Sequence, residues 1–194
     1  MKTNRTYTMD ARARSAASTR ERIVRAATDL FLEHRYDDVT LAAIAEAAEV
    51  SHQTVLNHFQ SKEGVVLGVV DVLKDETMTV RRAEPGDVEG AVRALVDDYE
   101  QMGDANVRWA TSDLDSLAEP LDMARASHRE WLVDLFGDDL PKRGKARQRA
   151  VNALHAATDV YTWKLLRRDL RLGRAETEKT MVDLVVGVLR GSDR

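Results

Sequence analysis

The residues whose types and spacing could do chemistry lie between Thr40 and Lys62. Thr40, Ser51 and Ser61 each precede a stretch with helical apolar spacing, so each can cap a helix N-terminus with its side-chain oxygen. Leu41, Ile44, Ala45 and Ala48 share one face of the first stretch, and Val55 and Phe59 turn inward from the second. Only Glu49-Val50 separates them, and two short helices joined so tightly make a helix-turn-helix. In that unit the second helix stands proud, and its first turn can enter a major groove. Here that turn carries His52, Gln53 and Thr54, with Asn57 one turn later. All can hydrogen-bond and none is acidic. Gln53 suits base reading, because glutamine can pair bidentately with adenine. Thr40 and Ser51 sit at helix N-termini, where amides and the helix dipole attract phosphate, and His58 and Lys62 add donors. The bland readings are plain capping for Thr40, Ser51 and Ser61, and solvated surface for His52 and His58. Those two histidines lie six residues apart on a short helix and share no face, so no metal site is expected.

Around this segment the apolar pattern is helical throughout. Ser18-Thr19-Arg20-Glu21 reads as a capping box, followed by Ile23, Ala27, Leu30 and Phe31 in a helix to about His34. Ala45 is small where the two short helices must approach, and Val50 and Val55 form a wedge beneath their turn. The run Val65–Val70 would suit a buried strand equally well. The Ser61 cap and the spacing of Asp71, Lys74 and Asp75 decide for helix. Pro85, Pro120 and Pro141 then open helical stretches at 86–103, 105–117, 120–137 and 142–171, since proline suits a first turn. Gly173 ends the last, and a final helix runs from Glu176 to about Leu189. The predicted fold is all-α, with about nine helices: an N-terminal three-helix helix-turn-helix domain at 18–64 and a C-terminal helical domain at 65–194.

Composition narrows the chemistry. The chain has 194 residues and no cysteine, which excludes a disulfide framework, a thiolate zinc site, an iron–sulfur cluster and a cysteine nucleophile. No apolar run approaches the roughly 18 residues needed to span a bilayer, and the N-terminus lacks the apolar core of a secretory signal. The expectation is a soluble, cytoplasmic protein with no membrane partner. The net charge of −4 hides an asymmetry: residues 1–25 carry +5 and the remainder −9. A basic arm on an acidic body suits nucleic acid. Residues 1–17 are read as a flexible arm, with Arg12 and Arg14 placed to enter a minor groove, or else as a solvated tail. No phosphate-cradling glycine loop, nucleophile elbow or H-E-x-x-H occurs. Asp113-Leu114-Asp115 lacks the rest of a calcium loop. The pairs Asp37-Asp38, Asp97-Asp98 and Asp138-Asp139 are adjacent and do not converge on one helix face. No enzyme activity, cofactor or metal is expected.

The stretch from Val39 to Glu63 resembles the DNA-binding head of the tetracycline-repressor (TetR) family of bacterial transcription regulators. The pieces carrying the resemblance are T-x-x-x-I-A from Thr40, Val50-Ser51, Thr54, His58-Phe59 and Lys62-Glu63. Ile23, Ala26, Leu30 and Phe31 match the family's first helix. Specific likeness covers about residues 19–67; beyond it, only the helical layout and the segment Tyr161–Asp169 match. Two departures stand out. Leu56 occupies the place of a tyrosine that commonly touches the DNA backbone, and Glu49 stands where the family usually has glycine.

The resemblance implies a homodimer on a palindromic double-stranded operator, released by an effector held in the second domain. For the pocket wall it points to Tyr99, Met102, Trp109, Met123, Trp131, Leu135, His155 and Asp159, and to a small apolar or aromatic effector. Ordinary core packing is the competing account of each. The last helices look apolar on two faces, which calls for two partners. Leu154, Ala157, Tyr161, Met181, Leu184, Val185 and Val188 are therefore expected at a subunit interface; burial within one chain is the alternative. The predicted function is a sequence-specific transcriptional repressor. Leu56 and Glu49 keep open a helical small-molecule binder with a weakened head.

Overall fold

The computed structural model describes residues 3–111 and 117–192, and among these every regular element is helical. In chain order they are α1 (Thr3–Glu33), a 3₁₀ turn (Tyr36–Asp38), α2 (Leu41–Ala47), α3 (His52–Phe59), α4 (Lys62–Val80), α5 (Val88–Ala110), α6 (Ala118–Phe136), α7 (Gly144–Thr158), α8 (Val160–Lys164), a π turn (Leu165–Asp169) and α9 (Arg174–Ser192). The chain divides into two compact units, Met1–Val72 and Leu73–Arg194, and the division falls inside α4. The run Val65–Val70 lies within α4 and is helical.

In the first unit, α2 packs on α1 and on α3. Ile23, Ala27 and Phe31 of α1, Ile44 and Ala45 of α2, Val55 of α3 and Val65, Val66 and Val69 of α4 are all buried. The 3₁₀ turn is pinned by Tyr36, whose ring stacks on Phe31 at 5.9 Å. Gly68 admits α4 close to α3, since a Cβ there would lie 2.8 Å from the Phe59 ring.

The N-terminus departs from expectation. α1 begins at Thr3, so the backbone of the segment read as a flexible arm is helical, and Ser18 lies inside the helix rather than capping it. The physical reason is composition. Residues 3–33 hold no glycine or proline and are rich in alanine and arginine, so nothing obliges the chain to leave helical dihedrals at Ser18.

In the second unit the core joins α5, α6, α7, α8 and α9 through Leu95, Tyr99, Leu132, Phe136, Leu154, Trp163, Met181 and Val185. Two boundaries move. The break expected near Gly103 is absent, because Gly103 serves close packing: a Cβ there would lie 2.5 Å from the Trp163 ring, which is fully buried. The stretch 105–110 is thus the end of α5, and Asp113–Asp115 falls outside the described residues. The long helix expected over 142–171 is interrupted at Asp159, whose backbone is extended (ψ 152°) and whose carboxylate accepts the Tyr161 amide at 2.9 Å. The π turn follows. It sets Arg167 on Glu100, with Nε to Oε1 at 2.6 Å, and Arg168 on Asp104, with Nη2 to Oδ2 at 2.9 Å.

The faces of the last helices also differ from the interface reading. Leu154, Ala157, Met181 and Val185 are buried in the chain's own core. The reason is that α7 and α9 pack against each other, which uses one face of each. Tyr161 and Leu184 remain outward, each 44% exposed, as does Leu165 at 49%. Val188 is half-buried.

Candidate functional site

The helix-turn-helix is built by its caps. Thr40 Oγ1 accepts the Ala43 amide at 3.1 Å and Ser51 Oγ accepts the Thr54 amide at 3.0 Å, so each short helix starts where its sequence allows. Ser61 Oγ does the same for α4 through the Gly64 amide at 3.1 Å. α2 ends in a Schellman arrangement. The Val50 amide donates to the Ala45 carbonyl at 2.9 Å and the Glu49 amide to the Glu46 carbonyl at 3.0 Å. This motif puts Glu49 in the left-handed region (φ 53°), a conformation suited to glycine. The family glycine noted from sequence therefore has a physical cause here, and this chain does without it.

Along α3 the polar groups face out. His52, Gln53 and Asn57 are exposed, while Thr54 is half-buried and shares a hydrogen bond with Ser51 Oγ at 2.8 Å. Gln53 Nε2 donates to Asn57 Oδ1 at 3.0 Å, so the two amides form a ladder one turn apart. Gln53 keeps its carbonyl oxygen and its second amide hydrogen for another partner. His58 is half-buried against Phe59, and Leu56 is half-buried too. Arg14 is exposed on α1; Arg12 is placed on the same helix by its backbone alone.

The Lys62 ammonium is half-buried and engaged. It donates to the Tyr36 carbonyl and lies 3.9 Å from the centre of the Tyr36 ring, while Tyr36 donates to Glu63 Oε1 at 3.1 Å. Burial lowers its pKa, against the pull of Asp37 and Glu63. In this structure Lys62 fastens the 3₁₀ turn to the start of α4.

In the second unit the residues proposed for a pocket scatter. Tyr99, Trp131 and Leu135 belong to the closed core, Met102 and Trp109 are half-buried on α5, and Met123 is 38% exposed. An open groove of about 670 Å³ lies between α6 and α7, lined by Arg129, Val133, Lys145, Arg147 and Val151 among others, and none of the pocket candidates borders it. What the structure does assemble is a polar cluster. Arg81 donates through Nε and Nη2 to Asp98 Oδ2 at 2.9 and 2.5 Å, and through Nη1 to His128 Nδ1 at 3.0 Å. His128 Nε2 meets Thr158 Oγ1 at 2.8 Å, and Tyr99 donates to the Thr158 carbonyl at 3.0 Å. Trp131 donates to the Arg81 carbonyl at 3.0 Å. His155 pairs with Asp159 at 3.3 Å, and its ring meets His128 edge-on at 4.9 Å. Burial, with help from Arg81, holds His128 down to about 3, and burial pushes Tyr99 up to about 12.

Arg81, Asp98, His128 and Thr158 escaped the sequence reading. A signal was present: Asp98 falls at helical spacing with Ala91 and Leu95, and His128 with Trp131, Leu132 and Leu135, so each is a polar residue on an apolar face. Among the described residues no group of three or more metal-binding side chains occurs, and no helix is long and apolar enough to cross a membrane.

Fold and site together define an all-helical protein with a helix-turn-helix head. Residues 23–69 match the model of the family described as bacterial regulatory proteins, tetR family. The match takes in α2 and α3 with the adjoining parts of α1 and α4. It is 33% identical over 91 residues to the HTH-type transcriptional regulator TcmR of Streptomyces glaucescens, a match spanning 44% of this chain and 40% of that protein. The fold is similar to a tetR-family transcriptional regulator from Streptomyces coelicolor, with TM-score 0.72 and 18% identity over 89% of this chain and 83% of that one. A transcriptional regulator from Rhodococcus sp. Rha1 gives TM-score 0.67 and 21% identity over 90% and 98% of the two chains.

Proposed function

We propose that the protein is a transcriptional repressor that binds a palindromic operator as a homodimer and is released by a small-molecule effector. The observation that carries this is α3. It is a capped helix directly after a tight turn, within a tetR-family domain, with His52, Gln53 and Asn57 exposed and no acidic side chain along it. The base-reading group is the Gln53–Asn57 ladder with His52 and Thr54. Backbone positioning falls to the α2 and α3 N-termini at Thr40 and Ser51, to His58, and to Arg12 and Arg14 on α1. The twofold contact uses the outward Tyr161 and Leu184 together with Val188. The effector site lies in the second unit, where His155 and Asp159 are its polar candidates and Met102 and Trp109 its apolar ones. The protein acts in the cytoplasm, where its operator is.

The test is selection of bound sequences from a random duplex library at near-physiological salt, using protein shown to be folded and dimeric. An enriched inverted repeat supports the reading. No enrichment overturns it and leaves the rival, a helical small-molecule binder whose head is weakened by Leu56 and by the strained and charged Glu49.

A further inference from the structure

Arg81 is 7% exposed and is the first residue after α4, its amide still donating to the Thr77 carbonyl at 2.8 Å. It is held at both levels. Its carbonyl accepts Trp131 of α6, and its guanidinium is divided between Asp98 of α5 and His128 of α6. The hydrogen positions around His128 follow from chemistry. A guanidinium can only donate, so His128 Nδ1 must accept. The ring then carries its hydrogen on Nε2 and donates it to Thr158 Oγ1. That hydroxyl in turn donates to the Leu154 carbonyl at 2.8 Å. Every bond in the chain has a donor and an acceptor, and one order alone satisfies all of them. Thr158 is 1% exposed and is the last residue of α7, directly before the break at Asp159. A polar relay therefore ties the end of α4 to the α7–α8 break.

We propose that His128 and Thr158 are positioning residues for DNA binding, acting through Arg81 to hold the end of α4, the helix whose other end, at Lys62, belongs to the helix-turn-helix unit. This rests on the reading of the head as DNA-binding. A buried ion pair such as Arg81–Asp98 is a weak source of stability, because desolvation offsets much of its attraction; its better-attested use is to specify one arrangement. The relay puts that specification at the mercy of one hydroxyl. Removing it leaves His128 Nε2 without its acceptor inside the unit, and the cheapest relief is a turn of the ring, which breaks the bond to Arg81 Nη1.

The experiment compares Thr158→Val, Thr158→Ser and His128→Phe in the full chain, with Val92→Ala as a core variant outside the relay. Amide hydrogen exchange over residues 74–81 reads the hold on α4 without reference to DNA. Affinity for the duplex enriched by the wild-type protein reads its consequence. Thr158→Val and His128→Phe are expected to speed exchange at the end of α4 and to weaken DNA binding about three- to tenfold, the usual size of coupling through a network. Thr158→Ser, which keeps the hydroxyl, stays at the wild-type level in both. If Thr158→Val behaves like Val92→Ala in both measurements, the relay is ordinary packing and the proposal fails. If α4 loosens but affinity is unchanged, the positioning role fails while the anchor stands. If the wild-type protein enriches no duplex, the DNA-binding reading falls and takes this inference with it.

Discussion

Glu49 and Lys62 show what single residues contribute to the head. Glu49 occupies a left-handed turn position at φ 53°, which costs a residue with a Cβ about 1 kcal/mol relative to glycine. Glu49→Gly should raise the head's stability by about that amount in urea unfolding. It should also tighten binding to any duplex by removing a charge next to α3. Lys62→Met should lower stability by about 1–2 kcal/mol, because it deletes the contact with the Tyr36 ring and leaves the Tyr36 carbonyl without this donor. The salt dependence of DNA binding should stay as in the wild type; a slope lower by about one would return Lys62 to phosphate. Gln53→Ala should cost on the order of 1–3 kcal/mol in specific binding and relax preference at one base pair, checked by repeating the library selection. Residue types made this site legible. Threonine, serine and glutamine announce their bonding from the sequence, and the caps at Thr40, Ser51 and Ser61 form as their spacing dictates. The position of Lys62 was not legible, because its partner is a backbone carbonyl 26 residues away that only the fold brings near.

Helices α2, α3 and α4 start where their capping residues stand, since a cap is a local device: one side-chain oxygen and an amide three residues on. α1 and α5 do not obey their local signals in the same way. Ser18 is passed over because its neighbours favour helix, and Gly103 stays inside α5 because Trp163 lies against it. Gly103→Ala should therefore destabilise the second unit by about 1–3 kcal/mol, although alanine is the better helix former, because the new methyl would overlap the indole. Thermal unfolding checks the sign; a rise in melting temperature would mean that Gly103 is only a weak point in the helix. The break at Asp159 has the opposite character. Asp159 caps the Tyr161 amide and faces His155, so a side chain able to end one helix and begin another was in the sequence, but an uninterrupted apolar pattern on either side masked it.

At the scale of the second unit, the relay makes stability depend on pH. His128 is held at about 3 by burial and by Arg81, with His155 and Asp159 as the other titrating groups against it and Asp98 on the far side of Arg81. Its ordinary value is 6.5, so between about 6.5 and 3 the unfolded chain binds the proton and the folded chain does not. Stability must then fall as pH falls through that window, by up to about 1 kcal/mol per pH unit from this group. Urea unfolding at pH 7.5, 6.5 and 5.5 should show the decline before the carboxylates titrate, and His128→Phe should flatten it. A wild-type profile without slope over that range would place a charged His128 in the folded state. The sequence by itself determined the all-helical class, the helix-turn-helix at 40–62 and the polar outer face of α3, because these rest on spacing within a few turns of chain. The tertiary structure alone decided which apolar faces turn inward, so that Leu154 and Met181 serve the core while Tyr161 stays outside. It alone brought Arg81, Asp98, His128 and Thr158 to one point. Hydrogen bonds between groups 17 to 47 residues apart obey distance in space, and no local pattern in the chain encodes that distance.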